Sequence, residues 1–217
     1  MDEEVAIINN RSRNEKIKDF FVSNKKIIII SVSAIIVLIF SYFIYQDYND
    51  KNKIKLANKY NTASINFFSG NKTNVEKQLI EVVNSKDKTY SPLALYFLMD
   101  NNIISSNDKI NELFDIVIND VKLDKEIKNL VIYKKALFNS EFETENNLIK
   151  ILNPVLNSSS TWESHALYLL GEYFYSKNEK QKAKEFFEKV LNLENGNLDI
   201  KKESQKRIQR DLSEKSY

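Results

Sequence analysis

Two patterns of apolar positions divide the chain. Residues 27–45, IIIISVSAIIVLIFSYFIY, run for nineteen positions without a charge, and as a helix such a run spans about 28 Å, the thickness of a hydrocarbon core. From about Lys53 onward the pattern changes. Apolar residues recur every three to four positions with charged residues between them, which predicts amphipathic helices to the end of the chain.

Those helices repeat. Tyr60, Tyr96, Tyr133 and Tyr168 are 36, 37 and 35 residues apart, and each is followed three positions later by Ala63, Met99, Ala136 or Gly171. The spacing predicts four helix pairs, with the smaller residue marking a close helix contact. In the second helix of each pair, Leu79, Phe114, Ile149 and Phe187 share one column, and Val82, Val117, Leu152 and Val190 another. Residues 198–213 come last as a charged helix with Ile200, Ile208 and Leu212 on one side. This reads as the polar cap a stack of repeats requires. The expected architecture is therefore all-α: a cytoplasmic basic tail (1–26), a single transmembrane helix (27–45) and a helical-repeat domain (46–217).

Composition narrows this further. Three Gly and two Pro are too few for the turns of a β-sandwich, and the glycines lie too far apart for a dinucleotide fingerprint or a P-loop. The five have places in the repeat register. Gly70 falls in the first turn, and Pro92 at a helix start behind Ser91 as N-cap. Pro154 lies near the end of the third pair, Gly171 inside the fourth, and Gly196 before the cap. Lys and Arg number 32 against 30 Asp and Glu, a net +2, which lacks the basic footprint of a nucleic-acid binder. With no Cys and one His, thiolate chemistry and multi-histidine metal sites are excluded.

Orientation follows from the flanks of the apolar run. Residues 11–26 carry Arg11, Arg13, Lys16, Lys18, Lys25 and Lys26 against Glu15 and Asp19, whereas residues 46–60 carry four Lys against two Asp. The shorter, more basic side is expected in the cytoplasm, with Tyr42, Phe43, Tyr45 and Tyr48 at the opposite headgroup layer. The run is longer than a signal peptide's apolar region and lacks a small-residue cleavage site at its exit, so it reads as an uncleaved anchor. Ahead of it, Ile17, Phe20 and Phe21 recur at helical spacing among lysines. They form a candidate membrane or partner contact.

The fourth copy, SHALYLLGEYFYSKNEKQKAKEFFEKVLNLENG, resembles a tetratricopeptide repeat over residues 164–197: Leu167, Leu170, Gly171, Phe174, Ala183, Phe187 and Val190 match its large, small and aromatic positions, with Asn195 where the usual proline falls. The whole layout is similar to the YfgM family, on EKIKDFFVSNKK before the anchor, KDKTYSPLALYFL in the second pair, and the stretch from Trp162 through SKNEKQKAKEFFEKVL. That resemblance implies a bacterial inner-membrane protein with a periplasmic repeat domain. It also implies an ancillary subunit of the Sec translocon working with a membrane-anchored prolyl-isomerase-like chaperone, and holding unfolded exported chains. An envelope stress-response regulator or outer-membrane assembly adaptor is the alternative use of the same domain.

No catalytic constellation accompanies this layout. His165 has Glu163, Ser164 and Glu172 near it in sequence but no nucleophile, base and orienting group in order, and Glu141 and Glu143 read as solvated charge in a connection. Neither a cofactor nor a small-molecule substrate is expected. The sharper candidates are rings on the first helices. By register Tyr60, Tyr96, Tyr133 and Tyr168, with Phe67, Ile103 and Tyr175 two turns along and the acidic Glu172, line one concave face suited to a peptide or partner helix. Packing between successive repeats is the competing role for the same rings.

Overall fold

The computed structural model describes residues 15–212, in which every regular element is a helix. Arg11 and Arg13 of the basic flank, and the last residue of the expected capping helix, lie outside the described residues. The chain divides into two units, Met1–Lys55 and Leu56–Tyr217.

In the first unit a short helix α1 (residues 15–23) is separated by a turn at Asn24 from α2 (Lys25–Phe68). The apolar run behaves as its composition dictates. Its side chains find no cover among the described residues, and α2 is long and apolar enough to cross a membrane. The helix does not end where charge returns after Gln46 but continues unbroken to Phe68.

The second unit comprises the end of α2 and then α3 (Val75–Asn84), α4 (Tyr90–Asp100), α5 (Asn107–Asp120), α6 (Lys125–Asn139), α7 (Glu145–Leu156), α8 (Glu163–Ser176), α9 (Lys180–Asn192) and α10 (Leu198–Asp211). Each helix from α3 on packs chiefly on its chain neighbours, and the further contacts α3–α5, α6–α8 and α8–α10 join next-but-one helices. Two adjoining cores result. One gathers side chains from the end of α2 to Val131, the other from Ile132 to Leu212, and Ile118 packs against both.

The even spacing of the core is plainest in α3, α5, α7 and α9. Val75, Leu79 and Val82 recur as Ile110, Phe114 and Val117, as Leu148, Leu152 and Val155, and as Ala183, Phe187 and Val190. Each set is i, i+4, i+7, and no member is more than 2% exposed. This corrects the sequence register in the third copy, where Ile149 is only half-buried and Leu152 holds the column expected for it. Counted from the tyrosine, the buried column falls 19 residues on in the first, third and fourth copies (Tyr60–Leu79, Tyr133–Leu152, Tyr168–Phe187) and 18 on in the second, whereas Ile149 follows Tyr133 by only 16. A similar slip affects α4, where Leu98 is fully buried and Met99 half-buried, whereas Ala63, Ala136 and Gly171 are buried as expected.

Turns are made with few glycines because asparagine substitutes for them. Asn102 and Asn178 adopt φ of 49° and 61° after α4 and α8, a left-handed conformation asparagine tolerates. In both, the next amide reaches back five residues, Ile103 N–H to the Leu98 carbonyl (3.0 Å) and Glu179 N–H to that of Phe174 (2.9 Å). Gly70, at φ 83°, serves the first turn. Starts are capped by Ser106 and Thr144, and by Asn197, whose side-chain oxygen accepts from Asp199 N–H (2.9 Å) and Ile200 N–H (3.2 Å). α4 begins earlier than the Ser91–Pro92 pair suggests. Asp87 Oδ1 accepts from the Thr89 and Tyr90 amides, both at 2.8 Å, so Pro92 sits within the first turn, where its missing N–H costs nothing. Ser91 is instead fully buried and donates to the Val82 carbonyl at 3.1 Å.

Candidate functional site

The four rings of the expected tyrosine column each meet a different set of neighbours. Tyr60 packs beside Tyr90 and Phe97 of α4, with ring centroids 6.1 and 6.0 Å away. Tyr133 stacks on Trp162 at 5.6 Å and meets the edge of His165 at 5.8 Å, joining α6 to the start of α8. Burial raises its phenol above the usual tyrosine range. Tyr168 lies against Phe187 of α9 at 5.3 Å. Burial and the neighbouring Glu172 charge push its phenol up to about 12.

Glu172 is committed to a partner. Arg207 of α10 donates to it through Nε at 2.6 Å and through Nη2, donates to Asp211 through Nη1 at 2.7 Å, and lays its guanidinium over the Tyr175 ring at 4.6 Å. Arg210 and Arg207 hold the Asp211 carboxyl far below the ordinary range. Tyr168, Glu172 and Tyr175 thus meet as the seat of the last helix. Phe67 and Ile103 are also brought together, in a cleft they share with Lys72, Asn101 and Asn102, and Phe67 packs edge-on against Phe97 at 5.5 Å. Ile17, Phe20 and Phe21 are exposed on α1.

Tyr96 differs from the rest. It lines a groove of about 370 Å³ between α4 and α6, with Pro92 and Leu93 from its own helix, Leu123 from the connection, and Ile127 and Leu130 from α6. Lys88 and Asp124 stand at the margin. Leu93 and Ile127 are 41% and 43% exposed, so the lining is apolar yet open. The Tyr96 hydroxyl is enclosed and has no hydrogen-bond partner among the described residues. Burial, with a smaller push from Asp100, drives its titration well above the normal range. Lys134 of α6 sits 4.6 Å from the ring centroid and closes that side.

Of this groove the sequence pattern identified only Tyr96. A signal for the rest exists in α4, YSPLALYFLMD, which is apolar nearly all round. Its core face is filled by Ala94, Leu95 and Leu98, so Leu93 lies on a second face that only a neighbour or a ligand covers. Buried polar side chains were also not anticipated. Ser91, Asn129, Asn139, Ser164 and Ser204 are each at least 95% buried. Asn129 Nδ2 donates to Ser158 Oγ at 3.1 Å, and Ser164 Oγ accepts from Asn197 N–H at 3.2 Å, tying first helices to the loops beside them. Comparison with protein-family models, with curated proteins and with solved structures finds no match to this chain.

Proposed function

We propose that the chain is a membrane-anchored interaction scaffold: α2 crosses the inner membrane once, with the N-terminus cytoplasmic, and carries a periplasmic domain of four tetratricopeptide-like helix pairs closed by α10. Its role in this reading is that of an ancillary Sec translocon subunit that links the translocon to a membrane-anchored prolyl-isomerase-like chaperone acting on exported chains. One observation carries the scaffold reading, the open apolar groove between α4 and α6. An extended or helical segment seated there covers Leu93 and Ile127. Packing between near neighbours supports a repeat stack, and the resemblance of the flanking segments supports the choice of partners.

A detergent-solubilised pull-down tests it. The intact chain should recover translocon core subunits and the chaperone, and Leu93→Glu with Ile127→Glu should lose them while the helix content stays constant. Recovery of a stress sensor or an outer-membrane assembly complex, without translocon subunits, would replace this reading by the adaptor one. A reporter fused after Tyr217 checks the orientation. Activity of a cytoplasm-only reporter there would reverse it.

A further inference from the structure

The helix before the span carries a second apolar face that none of the described residues covers. On α1, at about 100° per residue, Ile17, Phe20 and Phe21 fall within an arc of about 100°. They are 47%, 60% and 56% exposed. Lys16 and Lys18 flank that arc at about 40° and 60° from its two edges, while Glu15 and Asp19 lie on the opposite side of the helix. Apolar centre, cationic margins and acidic back is an ordering suited to a surface that is oily below and negatively charged at its rim.

We propose that α1 is a lipid-docking helix that seats Ile17, Phe20 and Phe21 at the acyl boundary and places Lys16 and Lys18 among anionic headgroups. Long lysine stems reach along the apolar face to the charged layer. Charge complementarity selects this occupant over a protein groove: both lysines border the apolar arc, and both carboxylates are turned away from it. The site of docking is also at hand, because the apolar run starts at Ile27, about one turn after Phe21–Asn24. Asn24 links the two helices with helical hydrogen bonds on both sides, its N–H donating to the Phe20 carbonyl at 3.0 Å and its carbonyl accepting from Ile28 N–H at 2.9 Å, while its Nδ2 donates to the same Phe20 carbonyl at 2.9 Å. This inference rests on α2 being the membrane span.

The test uses the full chain with Trp162→Phe and one new tryptophan at Phe20, Ser23 or Leu38, reconstituted into vesicles of phosphatidylcholine alone or of phosphatidylcholine with phosphatidylglycerol. Lipids brominated near the carbonyl should quench Phe20→Trp more than Ser23→Trp, although Ser23 is nearer the span in the chain. Phosphatidylglycerol should raise that quenching. Replacing Lys16 and Lys18 by Gln should lower the docked-to-free ratio about fivefold for each lysine and remove the effect of phosphatidylglycerol. Quenching that ranks by chain distance, with Ser23→Trp ahead, or that is equal in both vesicles, would overturn the proposal. So would protection of Phe20→Trp that arises only on adding membrane-protein extract. Leu38→Trp, quenched by lipids brominated deep in the chains, reports the span separately. Its failure would overturn the anchor reading instead.

Discussion

Replacing Gly171 by Ala should destabilise this protein, against the usual expectation for a glycine inside a helix. Helix propensity alone favours Ala by about 0.8–1.0 kcal/mol. The structure opposes it. A methyl group on Gly171 would lie 2.6–2.9 Å from three atoms of the Phe187 ring, closer than real contacts allow, and Phe187 is fully buried with Tyr168 against it. The ring has nowhere cheap to go. Overpacking of this kind costs about 1–3 kcal/mol, so the net loss should be about 1 kcal/mol, with the α8–α9 pair opening first. The measurement is urea and heat unfolding of the full chain in detergent. Helix content is followed by circular dichroism and the fourth pair by Trp162 fluorescence. Phe187→Leu supplies the control, because it shortens the obstructing side chain. In that background Gly171→Ala should turn stabilising by several tenths of a kcal/mol. A Gly171→Ala protein at least as stable as wild type, or an effect of unchanged sign beside Leu at 187, would refute the overpacking account.

Other consequences can be measured in the same way. Leu152→Ala should cost about 2–5 kcal/mol as a core cavity, and Ile149→Ala, half-buried, clearly less; the reverse order in denaturation would restore the original register. Tyr96→Phe removes an enclosed hydroxyl that has no partner among the described residues and should leave stability unchanged or raise it by up to about 1 kcal/mol. The Tyr168 phenol, raised to about 12 in the folded chain, holds its proton more tightly than in the unfolded chain. Its contribution is therefore complete below about pH 10 and is lost as pH rises from there through about 12. Tyr168→Phe should flatten that part of an alkaline unfolding profile, and tyrosinate absorbance should show one fewer late-titrating ring.

Period and composition encode the features that were legible in the sequence. The uncovered run at 27–45 and the alternation of helices needed only local pattern, as did the buried columns in α3, α5 and α9. Register in the third copy was lost because a 35-residue step from Phe114 lands on Ile149, whereas the 19-residue spacing from the tyrosine shared with the first and fourth copies lands on Leu152. The left-handed Asn102 and Asn178 were missed because glycine was sought where asparagine serves. Only Tyr96 of the groove was legible, since Leu123, Ile127 and Leu130 come from a segment about thirty residues away. Glu172 was placed correctly on its helix but read as free, because its partner Arg207 lies 35 residues on.

Val131 and Ile132 are consecutive in the chain yet belong to different cores, which makes α6 a party wall between two rooms. For a chain synthesised from its N-terminus, this sets an order of assembly. The first room can close once Val131 and Phe138 have arrived, while Ile132 and Ala136 on the neighbouring side still face an unbuilt one. Until Leu148, Leu152 and the residues of α8 arrive, that side of α6 is a temporarily sticky surface, and the interval during which it needs guarding is set by the delivery of roughly the next forty residues.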